Sequence, residues 1–223
     1  MMLLSVSTSG SVASAALIKD GALLALVKNE SGLTHSETIL PLCEALFTKF
    51  NVTAEEIDAY AVDVGPGSFT GVRIGVCAVN AMAAATKKQV LGVCALDALY
   101  ESARNYTGVC SLIDAKAGKV YAAHYENEKT LLPPTATTID ELLPLLPRGT
   151  VYVGDGATAY ADTIHAFDET AVILPEHGVL LADAVAFAGW CMLQNGNAGE
   201  EALPLYLRPS QAERLRGTGK EQS

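Results

Sequence analysis

The segment from residue 64 to residue 75 has the residue types and spacing that could bind an anion. It reads as a strand, a glycine-rich turn and a helix start, with Gly65, Gly67 and Gly71 around Ser68. Free backbone N–H groups at a helix N-terminus attract negative charge. The spacing is neither a dinucleotide fingerprint nor a P-loop, because no lysine follows the glycines. Two interpretations stay open: anion or nucleotide contact, or a turn built for packing with Ser68 as the helix cap.

One turn further on, Arg73 has the same two interpretations: its guanidinium could reach a phosphate or carboxylate, or it could brace the loop. Three aspartates, Asp63, Asp114 and Asp155, could cluster as carboxylates. No two of the four histidines lie three, four or five positions apart, so no helix face carries a histidine pair for a metal. The five cysteines include no CxxC pair, and their apolar neighbours favour buried, reduced thiols. The sequence predicts no catalytic residue and no metal site.

Alternating strands and helices must position these residues. Residues 3–28 predict a three-stranded antiparallel meander, because Asp20 and Gly21 between two apolar runs can both adopt the positive φ of a tight hairpin. Thr34 and Glu37 fit a capping box ahead of a helix with a period of 3.6 residues. A strand, a helix of small residues, and another strand and helix complete the first half.

The second half of the chain repeats this plan. It opens with two strands, Pro133-Pro134 predicts a loop, and a helix is expected at 180–194. We therefore predict an α/β protein with one lobe at 1–105, a second lobe of similar plan at 106–207, and a flexible, basic tail at 208–223.

The composition is typical of a folded, acidic protein. Half of the residues are hydrophobic and 18% are charged, which argues against disorder. A net charge of −10 repels phosphate backbones and argues against tight, direct binding of nucleic acid. No basic residue precedes Lys19, and the best membrane-spanning candidate, 178–193, contains Asp183. We expect a cytoplasmic protein without a signal peptide or membrane span.

The amino-acid sequence of residues 64–75 (VGPGSFTGVRIG) resembles the hallmark motif of the bacterial TsaB family, also called YeaZ. The resemblance extends through almost the whole chain. Residues 4–8 are similar to the family's first strand, and residues 34–42 to its first helix. Residues 113–121 resemble its second-lobe hairpin, and residues 205–208 (LYLR) its C-terminal signature.

This resemblance implies a fold and a function. The fold would be the two-lobe actin-like ATPase fold (ASKHA, ribonuclease H-like). The function would be a scaffold or activator subunit that helps to install threonylcarbamoyl on adenosine 37 of tRNA (t6A). The implied partners are a catalytic TsaD-like subunit and a TsaE-like ATPase, with a homodimer when the chain is alone and tRNA contacted only through the complex. No cofactor would be required, although ATP or ADP could lie at the partner interface.

The resemblance also implies where binding would occur. Two helices, at roughly 35–50 and 70–86, would contact the partner. A Gly-x-Gly segment at 154–156 resembles the adenosine-side loop of this fold, and an ordinary strand-to-helix turn is the alternative. The interface candidates are His35, Ile39, Leu42, Leu46, Val72, Val76, Val79 and Met82. The candidates for nucleotide or anion binding are Gly65, Gly67, Ser68, Gly71, Arg73, Gly154, Asp155 and Gly156.

Two departures from related enzymes predict a non-catalytic subunit. The catalytic TsaD-type relatives carry an HxxxH metal pair, whereas residues 95–99 here read ALDAL. Actin-like ATPases usually place an aspartate at the end of the first strand, where this chain has Ser7, and a neutral hydroxyl cannot offset the charge of Mg²⁺. The alternatives are an ATP-using phosphotransferase or hydrolase of the same fold, and a nucleotide-binding sensor without turnover.

Overall fold

The first sheet begins with the expected meander. The structure, a computed structural model, describes residues 1–29 and 34–208. Strands β1 (Met2–Ser7), β2 (Ser14–Lys19) and β3 (Ala22–Lys28) pair in antiparallel order. Asp20 and Gly21 connect β2 to β3 with φ values of 50° and 81°, so the hairpin prediction is confirmed.

Two crossover helices complete this sheet. Helix α1 (His35–Phe50) begins at the expected capping box, and β4 (Ala59–Asp63) follows it. Helix α2 (Phe69–Thr86) then leads to β5 (Gln89–Val93). Strands β4 and β5 lie parallel to β1, which gives the strand order β3-β2-β1-β4-β5.

The second sheet repeats the strand order of the first. After α3 (Ala95–Ser102), β6, β7 and β8 form an antiparallel meander, and β9 and β10 add parallel strands in the order β10-β9-β6-β7-β8. Two α/β lobes of one plan are thereby confirmed. The remaining elements are β6 (Val109–Asp114), β7 (Lys119–Glu126), β8 (Lys129–Thr138), α4 (Ile139–Leu142), β9 (Val151–Val153), α5 (Asp155–Ala159), α6 (Ala161–Phe167), β10 (Val172–Ile173) and α7 (Ala182–Gln194).

The prediction of a loop at Pro133-Pro134 is wrong, because both prolines lie within β8. This strand is at the edge of its sheet, where a missing N–H costs no ladder bond on the outer side. The register shifts between the pairs Ala122↔Thr135 and His124↔Leu132, and the two prolines fall within that irregularity. An edge position with a bulge therefore tolerates a pair that would break a central strand.

Helix α7 lies within 106–207 in sequence but packs against the first sheet. The Ser5 hydroxyl donates to the Ala182 carbonyl at 2.6 Å, and the Ala182 N–H donates to Ser14 Oγ at 2.9 Å. At Gly189, an added Cβ would lie 2.8 Å from Ala61, so the helix approaches β4 closely. The division at residue 105 therefore does not separate the lobes in space: α3 and α7 share one apolar core with both sheets.

The chain then returns along the first lobe. We call residues 199–207 the C-terminal strap. It begins with an isolated antiparallel bridge to β5, and the Asn80 amide then bonds both the N–H and the carbonyl of Ala202, each at 2.9 Å. The Leu205 N–H donates to the Val64 carbonyl at 2.8 Å. The strap covers the edge of β5 and one side of α2. Of the predicted tail, residues 209–223 lie outside the described part of the chain.

Helix α2 is long and apolar enough to cross a membrane by length and composition alone, and within the described ranges it is the one helix that meets this test. From the sequence, 178–193 and not α2 was named as the best candidate for a membrane span. In the fold, one face of α2 packs against the first sheet through Val72, Val76 and Val79. An apolar stripe of this kind is what a helix covering a sheet requires.

Candidate functional site

A cleft of about 420 Å³ separates the two lobes. The first lobe contributes the β1–β2 turn and the turn before α2, and the second lobe contributes the β6–β7 turn, the start of α5 and the loop before α7. Apolar side chains of α3, β6 and the loop before α7 lie among these polar turns. The lining residues are Ser9, Gly10, Ser11, Pro66, Gly67, Ser68, Leu99, Ile113, Asp114, Ala115, Lys116, Tyr121, Asp155, Gly178, Val179 and Leu180.

The glycines of the predicted anion-binding turn serve close packing. At Gly67, a Cβ would lie 2.6 Å from the Ser9 carbonyl oxygen, and at Gly71 a Cβ would overlap the Thr8 carbonyl oxygen. At Gly75 a Cβ would overlap Thr8 Oγ1, and that hydroxyl donates to the Gly71 carbonyl at 2.8 Å. Because these three glycines have no side chain, α2 can lie directly on the β1–β2 turn. This geometry favours the packing interpretation for Gly71 and Gly75.

Gly65 and Ser68 have different roles in the same turn. Gly65 has a φ of +92°, a conformation that favours glycine, and a Cβ there would lie 3.2 Å from the Leu205 carbonyl of the strap. Ser68 caps α2, because its Oγ accepts a bond from the Gly71 N–H at 3.1 Å. Of the candidates in this segment, Gly67 and Ser68 line the cleft, whereas Gly65, Gly71 and Arg73 do not.

Arg73 braces the C-terminal strap. Its Nε donates to the Tyr206 hydroxyl at 2.9 Å, and its guanidinium lies 3.8 Å from the centre of the Phe69 ring. The Phe69 and Tyr206 rings stack with their centres 4.8 Å apart. The structure thus corrects the phosphate-binding interpretation of Arg73: the guanidinium is held on the strap side of α2, by a hydrogen bond and a cation–π contact.

The buried side chain of Asp63 holds the β1–β2 turn in place through hydrogen bonds. It is fully buried at the end of β4, and its Oδ2 accepts from the N–H groups of Thr8 and Ser9 at 3.0 and 3.4 Å. Burial raises the pKa of this carboxyl, and the bonds from Ser9 and Thr8 partly oppose that rise. Among the described residues, neither Asp63 Oδ1 nor Ser7 Oγ has a hydrogen-bond partner, and both atoms are buried. A buried polar atom without a hydrogen-bond partner lowers the stability of the fold.

Asp114 and Asp155 meet on the opposite wall, away from Asp63, so the predicted three-aspartate cluster is only partly formed. The Asp114 N–H donates to Asp155 Oδ1 at 3.0 Å, and Lys116 Nζ lies 2.7 Å from Asp114 Oδ2. Desolvation raises the pKa of Asp114, but the bonds from Lys116 and Tyr160 outweigh it and leave that pKa lowered. Desolvation and the neighbouring Asp114 charge raise the pKa of Asp155.

Gly154 and Gly156, in the turn after β9, also allow close packing. Gly154 has a φ of +97°, and a Cβ there would overlap the Leu112 carbonyl oxygen. A Cβ at Gly156 would lie 2.9 Å from Leu112 Cγ. Neither glycine lines the cleft, whereas Asp155 between them does. The two glycines therefore do what glycines do in an ordinary strand-to-helix turn, and Asp155 is the residue of this turn that places a carboxylate in the cleft.

Most of the interface candidates lie in the core of the first lobe. Ile39, Leu46, Val72, Val76 and Val79 are each at most 4% exposed, so in this structure they cannot meet a partner. The physical reason is that a 3.6-residue period marks the face of a helix that packs on its own sheet. Leu42 and Met82 are half-buried against the same core, and the His35 Nε2–H donates to the Gly10 carbonyl at 3.0 Å. Exposed positions of these two helices that are not among the interface candidates include Leu40, Glu44, Cys77, Ala81 and Ala84.

Histidine, cysteine and acidic side chains form no metal-binding group of three or more within residues 1–29 and 34–208. The prediction of buried thiols is correct for Cys43 and Cys110, whose pKa values burial raises, that of Cys43 to about 12. It is wrong for Cys77 and Cys191, which are exposed on α2 and α7. Small apolar neighbours in sequence do not decide which face of a helix a cysteine occupies.

Two lobes of one strand order around a central cleft define a protein of the actin-like ATPase fold. A family model described as "TsaD: tRNA N6-adenosine threonylcarbamoyltransferase" matches residues 29–169. The tRNA threonylcarbamoyladenosine biosynthesis protein TsaB of Escherichia coli is 31% identical over 93% of this chain and 95% of that protein. The protein of the same name from Bacillus subtilis is 29% identical over 59% and 58%. The chain belongs to the TsaB family, within the wider group that the TsaD model describes.

Solved structures agree with this assignment. YeaZ from Pseudomonas aeruginosa superposes with a TM-score of 0.75 at 25% identity, over 92% of this chain and 99% of that chain. A P. aeruginosa protein with similarity to peptidase YEAZ gives 0.79 at 26% identity, over 93% and 99%. The activator of 2-hydroxyisocaproyl-CoA dehydratase from Clostridium difficile, solved with bound ADPNP, gives 0.57 at 10% identity, over 88% and 97%. That last likeness is one of fold alone.

Proposed function

We propose that this chain takes part in threonylcarbamoyladenosine biosynthesis as the non-catalytic scaffold subunit that pairs with a TsaD-like transferase. A TsaE-like ATPase would join the pair, tRNA would be contacted through the complex, and the assembly would work in the cytoplasm. The observation that carries the proposal is the likeness to TsaB along 93% of the chain, together with the shared two-lobe fold. Ser7 at the end of β1, where a metal-binding carboxylate would be expected, supports the non-catalytic role.

The surface for pairing would be the solvent-facing side of α1 and α2, which pack against each other. Leu40 on α1 is 55% exposed and places a large apolar side chain on this side. On α2, Cys77, Ala81 and Ala84 form an exposed stripe of small side chains at helical spacing. A small-residue stripe beside an apolar anchor would let a partner helix approach closely and bury Leu40 at the centre.

A pair of matched substitutions tests this surface. Ala81→Arg places a long cation on the exposed face of α2, and Ala166→Arg makes the same change on the exposed face of α6. A buried, unpaired cation at an interface costs several kcal/mol, so Ala81→Arg should abolish co-elution with the TsaD-like partner on size exclusion. Ala166→Arg should leave the complex intact. If Ala81→Arg still forms the complex, this face is not the pairing surface.

An omission assay tests the scaffold role itself. Modified adenosine is measured on tRNA with the TsaD-like protein, the TsaE-like protein and this chain, each left out in turn. A scaffold predicts that product requires this chain, while the isolated chain makes no product and does not hydrolyse Mg-ATP. Turnover of ATP by the isolated chain would instead support the phosphotransferase or hydrolase alternative. Calorimetry with ATP or ADP, with and without the partner, tests whether nucleotide binds only at the interface between the two proteins.

A further inference from the structure

The C-terminal strap lies along the side of α2. At one end the Arg73 guanidinium bonds the Tyr206 hydroxyl. Two turns further along the helix, the Asn80 amide bonds Ala202, so the strap runs antiparallel to α2. Two of its side chains, Leu203 and Tyr206, are 69% and 44% exposed. The solvent-facing side of α2 therefore continues into a surface that carries a leucine and an aromatic ring.

The Arg73 guanidinium is held in place on this surface but is not neutralised there. Its Nε donates to the Tyr206 hydroxyl at 2.9 Å, and it lies 3.8 Å from the centre of the Phe69 ring. Arg73 is exposed, and its two terminal nitrogens make no hydrogen bond or ion pair with any described residue. Helix α2 contains no acidic residue that could pair with it from a neighbouring turn. A cation that is already fixed loses little conformational entropy when it forms further bonds.

The free side of this guanidinium suits a carboxylate. Two terminal N–H groups in one plane match the two oxygens of a carboxylate or a phosphate. A chain with a net charge of −10 repels a nucleic-acid backbone, which carries a phosphate at every nucleotide. One carboxylate set among apolar side chains needs only one opposite charge, and Arg73 supplies it. Arginine and tyrosine are also the residue types that most often anchor protein interfaces.

We propose that Arg73 binds a carboxylate of the TsaD-like partner, and that the pairing surface extends from α2 over the strap. Leu203 and Tyr206 pack against apolar side chains of the partner and keep water away from the ion pair. This inference rests on the proposed function and deepens it, because it names the charge that the partner carries at this place. It also gives the arginine of the glycine-rich segment a use besides holding the strap.

Calorimetric titration of the full chain with the TsaD-like protein tests the ion pair. Arg73→Gln should weaken pairing at least about tenfold, because the partner's carboxylate is then buried without a counterion. Arg73→Lys should weaken it about fivefold, since an ammonium group cannot form two parallel bonds in one plane. The matched control is Arg148→Gln, which removes an exposed arginine beside the Phe167 ring of the second lobe and should leave the affinity unchanged. Equal affinities for Arg73→Gln and Arg148→Gln overturn the proposal.

A further variant separates the charge of Arg73 from its support of the strap. Tyr206→Phe removes the acceptor of the Arg73 Nε–H but keeps the guanidinium and the ring that stacks on Phe69. It should weaken pairing by less than about threefold. If Tyr206→Phe weakens pairing as much as Arg73→Gln does, Arg73 acts only by holding the strap, and the carboxylate contact is wrong.

Charge reversal identifies the group on the partner. Arg73→Glu should prevent pairing, and one substitution of an acidic residue of the partner by arginine should restore the affinity at least about tenfold. A scan of the partner's acidic residues in which none restores binding overturns the proposal. If Arg73→Gln pairs normally but the complex binds tRNA more weakly, the ligand of Arg73 is a phosphate, and the carboxylate assignment falls.

The variant Ala81→Arg distinguishes failure of this inference from failure of the proposed function. Loss of pairing in Ala81→Arg, together with full pairing in Arg73→Gln, leaves the α1–α2 surface standing and removes its extension over the strap. If the unmodified chain does not pair with the TsaD-like protein at all, both proposals fall.

Discussion

The Nε of Arg73 donates a hydrogen bond to the hydroxyl of Tyr206, 2.9 Å away and 133 residues further along the chain. This contact joins the glycine-rich segment to the C-terminal strap, and both segments resemble the TsaB family in sequence. The Phe69 ring stacks on Tyr206 and also contacts the Arg73 guanidinium, so the three side chains pack against one another. The motif and the C-terminal signature thus form one structural unit.

We predict that Tyr206→Ala loosens the strap more than Tyr206→Phe does. Alanine removes both the stack on Phe69 and the hydrogen bond from Arg73, whereas phenylalanine keeps the stack. The aromatic pair is worth about 0.5–1.5 kcal/mol beyond its buried area, and the hydrogen bond a similar amount. Hydrogen exchange of residues 199–207 should accelerate strongly in Tyr206→Ala and modestly in Tyr206→Phe. Equal exchange in both variants and the unmodified chain would contradict this role.

A second prediction concerns the Asn80 side chain, which clamps Ala202 through two hydrogen bonds of 2.9 Å. Asn80→Ala should lower the free energy of unfolding by about 1–3 kcal/mol, because Ala202 is buried and its two backbone groups lose their partner. Urea denaturation measures the change. Asn105→Ala, at an exposed position after α3, is the matched control and should change stability by less than about 0.5 kcal/mol.

Gly71→Ala should destabilise the first lobe severely. The added methyl group would overlap the Thr8 carbonyl oxygen, and neither α2 nor the β1–β2 turn can move without breaking the bond from Thr8 Oγ1 to the Gly71 carbonyl. We expect a loss of about 2–4 kcal/mol in the free energy of unfolding, measured by urea denaturation. Gly10→Ala is the control, because an added Cβ there meets nothing within 4 Å. Similar stabilities for the two variants would show that α2 can shift.

The pH dependence of stability should depend on Asp63. Its pKa in the folded chain is raised above the ordinary 3.8, so the folded state holds this proton more tightly than the unfolded state does. The contribution of this proton to the free energy of unfolding is fully present below about pH 4. It is lost as the pH rises through the raised pKa of Asp63 in the folded chain. Asp63→Asn keeps an acceptor for Thr8 and Ser9 and does not titrate.

Asp63→Asn should therefore show a flatter free energy of unfolding above about pH 4 than the unmodified chain. Thermal unfolding followed across the pH range measures the difference. Asp140→Asn, exposed on α4, controls for the general loss of one carboxyl and should keep the slope. Parallel profiles for the unmodified chain and Asp63→Asn would mean that Asp63 titrates alike in the folded and unfolded states.

Much of the fold could be predicted from local patterns. The Asp20-Gly21 hairpin and the capping box of Thr34 and Glu37 formed as expected, because turn and cap chemistry involves residues only a few positions apart. The repeat of one strand plan in both halves followed from the same signals. Pro133 and Pro134 predicted a loop but lie within strand β8. Local sequence could not show this, because a strand tolerates proline only where it lies at the edge of its sheet.

The sequence by itself indicated most of the strands and helices, the family and the two possible uses of the glycine-rich turn. Only the tertiary structure showed that Gly71 packs against Thr8 and that Gly67 and Ser68 line the cleft. It also decided that Val72 faces the core, that α7 and the strap return to the first lobe, and that Asp155 lines the cleft. Periodicity shows that a helix has an apolar face, but what covers that face depends on chain segments far away in sequence.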